Sequence, residues 1–215
     1  MRLLINMLFT FILSASVKNS VNFTVNSTLH SPSSTLFTNG EGYRMIHVYY
    51  GDGKGKTTAA VGLAVRAAGS KMKILFVQFL KTEFSGERNI LSGIKNVTLT
   101  SCPQKLKFTN EMTDAEKQQA TVLFRGIFDR SAATALSERY DMIVLDEIFD
   151  VINEGMLSEA DVFAFIANAP NSIEIVMTGH NPPERFIDEA DYVTEMKKIK
   201  HPYDRGVSGR IGIEF

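Results

Sequence analysis

The stretch Gly51-Asp52-Gly53-Lys54-Gly55-Lys56-Thr57-Thr58 constrains this chain more than any other. It lies between Ile46–Tyr50, a short β-branched and aromatic run, and Lys56–Ala68, a helical pattern rich in Ala, Val and Leu that Gly69 closes. A strand that enters a glycine-rich turn and leaves it as a helix aims backbone N–H groups at an anion, and the helix start adds partial positive charge. Lys56 supplies a point charge for phosphate oxygens, and the Thr57 hydroxyl suits Mg²⁺. A plain glycine-rich turn is the alternative, and the strand–turn–helix context speaks against it. The usual spacing, G-x-x-x-x-G-K-[ST], would put a glycine at position 50, which is Tyr50. The loop therefore starts at Gly51 and is one residue short. A shorter loop holds phosphates differently, which argues against an ordinary kinase or GTPase.

The rest of the pattern from Met45 alternates strand with helix. Strands are predicted at Ile74–Leu80, Val97–Thr100, Met142–Leu145, Ser172–Thr178 and Tyr192–Met196, with a final edge strand at Ile211–Phe215. Thr113-Asp114-Ala115-Glu116 is a capping box that opens a long helix to about Tyr140, Ser158 caps another to about Asn168, and Pro182-Pro183 starts a short one. Such alternation implies an α/β fold, a mostly parallel sheet with helices on both faces. Ligands of such sheets sit beyond the carboxyl ends of the strands. The glycine loop, Asp146-Glu147, Thr178-Gly179 and the segment after Gln78 all fall at that edge. Met142-Ile143-Val144-Leu145 delivers two carboxylates there. One acid at this place can bind Mg²⁺ directly or through water and the other can position a water or ligand, and the sequence leaves open which does which.

Composition narrows the function classes. A formal net charge of −1, with scattered Lys and Arg, gives no electrostatic reason to expect nucleic acid or an acidic membrane as partner. The single cysteine, Cys102, excludes an internal disulfide and any Cys-rich metal knot, and points to a reducing compartment. Residues 1–44 read as a separate extension. Arg2 followed by the mostly apolar Leu3–Leu13 and Ser14-Ala15-Ser16 is signal-like but short for a bilayer span. Two sequons follow, at Asn22 and Asn26, in a Ser-, Thr- and Asn-rich stretch without apolar period, for which disorder is expected. Synthesis from Met45 would leave this extension outside the working protein and 45–215 as one domain, of cytoplasmic location.

With these pieces placed, the chain resembles the CobA/BtuR-type corrinoid adenosyltransferases. The residues that carry the likeness are the short loop through Ala60, Val77-Gln78-Phe79-Leu80-Lys81, Gly86-Glu87-Arg88-Asn89 and Val144–Ile148. Thr178-Gly179, the tail Lys200-His201-Pro202-Tyr203 to Gly206, and Ile211–Phe215 complete them. The resemblance covers residues 45 to the C-terminus. It implies a RecA-like P-loop fold, usually dimeric, an ATP pose reversed relative to most P-loop proteins, and C5′ exposed to the corrinoid. It implies transfer of the 5′-deoxyadenosyl group of ATP to the Co(I) of a reduced corrinoid, with a reductase supplying the electron and no membrane partner. By carry-over, Lys56 and the amides of Gly51–Thr57 hold the triphosphate, with Thr58 beside them, and Thr57 with Glu147 coordinates Mg²⁺. Arg66 helps hold nucleotide, or snorkels from an apolar helix.

On the corrinoid side the family uses an aromatic from a mobile segment to displace the lower axial ligand. Phe108 is the candidate, with Leu106 beside it, and an ordinary core or loop aromatic is the other reading. His201 contacts nucleotide or corrinoid, or hydrogen-bonds within a turn ahead of Pro202. His180 stands where an arginine also occurs in the family. Cys102 reads as a buried or loop thiol. Two other functions share many of these parts: a RecA-like ATPase in which Glu147 activates water, and a non-catalytic carrier of corrinoid or nucleotide.

Overall fold

The computed structural model describes residues 44–82, 85–100 and 111–214. Six strands form one sheet: β1 (Ile46–Tyr50), β2 (Ile74–Gln78), β3 (Val97–Leu99), β4 (Met142–Asp146), β5 (Glu174–Gly179) and β6 (Tyr192–Glu195). Their order is β3-β2-β4-β5-β1-β6, and every pairing is parallel. β2 and β4 are buried along their whole length, which is why their sequences are continuous apolar runs rather than alternations.

Helices cover both faces. One face carries α1 (Lys56–Gly69) and α2 (Gly86–Leu91), where Ala60, Ala64 and Leu91 pack on Ile74, Phe76, Val144 and Val176. The other carries α3 (Asp114–Ser137), α4 (Ile148–Asn153), α5 (Glu159–Asn168) and α6 (Glu184–Asp188), joined through Phe124, Phe149, Phe165 and Phe186. α3 starts with the expected capping box: Thr113 Oγ1 accepts from Glu116 N–H, and the Glu116 carboxylate accepts from Thr113 N–H at 2.9 Å. Ser158 likewise accepts from Ala160 N–H. No helix among the described residues is long and apolar enough to cross a membrane.

Three expectations need adjustment. β2 stops at Gln78 instead of Leu80. Phe79 N–H still reaches Asp146 O, but β4 ends there, so no partner strand remains to pair with. The short helices α2 and α4 lie in segments to which the sequence pattern assigned no element. The third concerns the tail: residues 211–214 form a turn, not an edge strand. Arg210 binds Glu214 through both main chain and side chain, and the Ile213 and Glu214 N–H groups donate back to Arg210 O, so they are spent locally.

Register sets what meets at the carboxyl edge. Tyr50 pairs with Gly179 and Gln78 with Asp146, so the glycine loop emerges beside the Thr178–His180 turn, and the segment carrying Lys81 beside Asp146-Glu147. β5 separates the loop strand β1 from the acid strand β4.

Candidate active site

The loop after β1 is held from behind by the segment after β6. Gly53 N–H donates to Met196 O at 2.6 Å, and Asp52 accepts from Lys198 N–H at 2.8 Å. A Cβ at Gly51 would stand 2.6 Å from Met196 O, and one at Gly53 would collide with the same carbonyl, so glycine is required at both places by close backbone approach. The hydrogen bond from Lys198, reinforced by the nearby lysines, lowers the Asp52 carboxyl below its ordinary range. Gly51, Asp52 and Gly53 thus form the back of the loop, and its front faces a cavity of about 720 Å³.

That cavity is lined by Lys54, Gly55, Lys56, Thr57 and Thr58 on one side, by Lys81 and Glu147 on another, and is bordered by His180 and the tail residues Gly212–Glu214. α1 opens onto it. Its N-cap is Gly55, no side chain caps it, and its first turn holds no acid, so its N–H groups and dipole are left for an anion. Lys56 Nζ donates to Gly51 O at 2.7 Å and Gly53 O at 2.9 Å. Burial lowers its pKa, against the pull of Asp150, Glu147 and Asp52.

The two acids take different parts. Asp146 is fully buried and spoken for: Oδ1 accepts from Thr178 Oγ1 at 2.7 Å and Thr57 Oγ1 at 3.0 Å, and Oδ2 from Gln78 Nε2 at 3.2 Å. Glu147 occupies the left-handed region at φ 64°, fixed by donation of its N–H to Thr178 Oγ1, and this turns its side chain out of the strand and toward the cavity. Its Oε1 pairs with Lys81 Nζ at 2.9 Å, whereas its buried Oε2 has no hydrogen-bond partner among the described residues. Burial raises both carboxyls, with Lys81 pulling the other way. Burial by itself would lower the Lys81 pKa, but Glu147, Asp146 and Glu87 outweigh it and raise it. Glu147, with an orphaned buried oxygen and a place in the lining of the same cavity as hydroxyl-bearing Thr57, fits a hard divalent cation such as Mg²⁺. Asp146 fits the role of orienting Thr57.

Sequence reasoning thus places Lys54–Thr58 and Glu147 where the structure brings them together. Arg66 lies in the last turn of α1 and lines a different cavity, with His47, Glu174 and Tyr192. His201 caps the turn Pro202–Arg205, its Nδ1 accepting from Tyr203 N–H at 3.2 Å, and it does not line the main cavity. Phe108, Leu106 and Cys102 lie outside the described residues. Lys81 and Glu87 line the cavity without having been singled out as site residues. The signal that would have found Lys81 is its position just beyond a buried strand at the ligand edge.

Residues 43–215 match the family described as ATP:corrinoid adenosyltransferase BtuR/CobO/CobP. The corrinoid adenosyltransferase of Escherichia coli strain K12 is 31% identical over 174 residues, 80% of this chain and 85% of its own. The corrinoid adenosyltransferase CobA of Salmonella typhimurium strain LT2 is likewise 31% identical over 174 residues, with the same coverage. One from Sinorhizobium is 32% identical over 173 residues, 80% of each chain. With the family match spanning the whole sheet and the glycine loop, this chain belongs to the ATP:corrinoid adenosyltransferase family.

Proposed function

We propose that the chain transfers the 5′-deoxyadenosyl group of ATP to the Co(I) of a reduced corrinoid and releases tripolyphosphate. The observation that carries this reading is the meeting of Lys56, Thr57 and Glu147 at the uncapped start of α1 in one cavity. The fold this supports is the RecA-like P-loop class, since β5 stands between the loop strand and the acid strand. In the reaction the cobalt electron pair forms the Co–C5′ bond, and the C5′–O5′ pair leaves with the triphosphate. The corrinoid brings its own nucleophile, so the protein has to align C5′ and neutralise charge on the leaving group. Lys56, turning from the carbonyls of Gly51 and Gly53, and the open N–H groups of α1 serve that end. Thr57 and Glu147 would hold Mg²⁺, which offsets phosphate charge when bound. Asp146 keeps the Thr57 hydroxyl oriented, and Thr178 holds both Asp146 and the Glu147 backbone in place.

A RecA-like ATPase would need Glu147 as a base toward water. Its ion pair with Lys81 and its suitability as a metal ligand favour the transferase instead. The contacts expected of Arg66, Phe108 and His201 belong to parts of the two substrates beyond this cradle, in a homodimer supplied with Co(I) by a reductase in the cytoplasm. Phosphorus NMR of a reaction with ATP, Mg²⁺ and chemically reduced cobalamin tests the reading. Tripolyphosphate should appear in step with the adenosylated corrinoid, with little ADP. Steady ADP release without corrinoid would give the case to the ATPase.

A further inference from the structure

Lys81 stands just beyond the end of β2, where register puts Gln78 beside Asp146. Its Nζ lies 2.9 Å from Glu147 Oε1, with the two side chains 21% and 22% exposed. Asp146 and Glu87 add their negative charge around the same ammonium. Lys81 thus serves a carboxylate whose other oxygen, Oε2, is buried without a hydrogen-bond partner among the described residues. A purely structural ion pair is stabilising only when both carboxylate oxygens are satisfied, and this one leaves half of its acceptor unserved. Lys56 is held differently, by the carbonyls of Gly51 and Gly53. Among the described residues Lys81 Nζ has Glu147 alone as a hydrogen-bond partner.

Lys81, Glu147 and Thr57 line one cavity, so the ammonium stands on the very carboxylate that fits a divalent ion. Two cations on one carboxylate repel at short range, and the repulsion is strong where water is partly excluded. While Lys81 keeps its contact, Glu147 is therefore a poor ligand for a second cation. The ammonium sits on a flexible four-carbon stem and can leave without a backbone movement. An anion in the cavity is what would draw it off, and the uncapped start of α1 is where an anion settles. Lys81 then turns to the added negative charge and uncovers Glu147.

We propose that the Lys81 ammonium occupies the cation place of Glu147 in the nucleotide-free chain and yields it only when a polyphosphate enters, so that a divalent ion binds with the nucleotide and not ahead of it. Lys81 is in this sense a positioning residue that acts through Glu147. It keeps a cluster of carboxylates from collecting free metal, and it keeps Glu147 ionised and in place until the nucleotide arrives. The inference rests on the reading of Glu147 as a metal ligand in a nucleotide cavity.

The test is titration of the full chain with Mn²⁺ alone, free ion being read by its paramagnetic resonance, with no nucleotide or corrinoid present. The unaltered protein, Lys81→Met, Lys81→Arg and the double variant Lys81→Met/Glu147→Gln are compared, with thermal melts to show each is folded. Lys81→Met should bind Mn²⁺ at least about tenfold more tightly than the unaltered protein. Lys81→Arg, which keeps the charge, should stay near the unaltered protein, and the double variant should lose the gain. A second readout needs no variant. Mn²⁺ alone should leave the melting temperature of the unaltered protein nearly unchanged, while Mn²⁺ with ATP raises it more than ATP with a chelator does. Mn²⁺ affinity of Lys81→Met no tighter than that of the unaltered protein would overturn the inference alone, provided that Glu147→Gln weakens binding of ATP with Mg²⁺ by calorimetry. Equal binding of ATP with Mg²⁺ by Glu147→Gln and the unaltered protein would overturn the metal reading of Glu147, and the inference with it.

Discussion

Two helices of this molecule begin in opposite ways. α3 closes its own start: Thr113 and Glu116 satisfy each other's backbone N–H groups, and Asp114 and Glu116 place negative charge on the positive end of the dipole. α1 has a glycine N-cap, no capping side chain and no acid in its first turn. A serine or aspartate cap is worth about 1 kcal/mol, so an open start forgoes stability that α3 secures. The difference teaches where the molecule has reserved binding energy. α3 presents a finished surface to solvent, and α1 presents unspent donors to a cavity whose other walls carry Lys81 and Glu147.

The largest effect that would break this contrast is at Lys56. Lys56→Met should cut adenosyl transfer by about two to three orders of magnitude, read by absorbance of the alkylated corrinoid. The nucleotide-free variant should at the same time melt slightly higher at pH 7. The sign follows from the lowered pKa: a lysine held below its ordinary 10.5 in the fold carries a cost that is fully present at neutral pH. That cost fades as pH rises through the folded value toward 10.5, so the gain in melting temperature should vanish there. Near-normal transfer by Lys56→Met would remove the phosphate-loop assignment.

An intermediate effect comes from making α1 resemble α3. Thr58 is exposed in the first turn of α1 and lines the cavity. Thr58→Glu should stabilise the helix start by some tenths of a kcal/mol, about 0.3–1, and weaken ATP by about tenfold through like-charge repulsion. Calorimetric binding and a thermal melt read the two together. Tighter or unchanged ATP binding would mean that the start of α1 does not meet the phosphates.

The smallest effect sharpens the other side. Thr113→Ala should cost about 1 kcal/mol, a fall of about 2–4 °C in melting temperature, while transfer rates stay within twofold. A marked loss of activity would show that the start of α3 reaches the site after all.

Much of this was legible in the sequence because the signals are local. The strand–turn–helix at Gly51–Thr58 and the capping box at Thr113–Glu116 each span a few residues, and both form as expected. α2 and α4 escaped detection because six residues make too few turns to show a helical period, and in α4 the buried Ile148, Phe149, Val151 and Ile152 leave only Asp150 and Asn153 as polar positions. The last strand failed for the opposite reason. Ile211 and Ile213 look like strand residues, but Arg210 and Glu214 close a turn around them.

Local sequence is enough to show that a glycine-rich loop, one residue short of the usual phosphate-loop spacing, precedes a helix and that two carboxylates end a strand. Backbone preferences and apolar periodicity act over neighbours, so these could be read without knowing what lies across the sheet. Packing across the sheet is what leaves Asp146 consumed by Thr57, Thr178 and Gln78, and Glu147 as the acid facing the cavity. The same holds for Lys81 beside Glu147 and for His180 between Asp150 and Lys56. Thr57 and Asp146 are 89 positions apart, and Lys56 and His180 124. Parallel register brings such pairs within hydrogen-bond distance, and burial then fixes which carboxylate is satisfied by protein and which is left for a ligand.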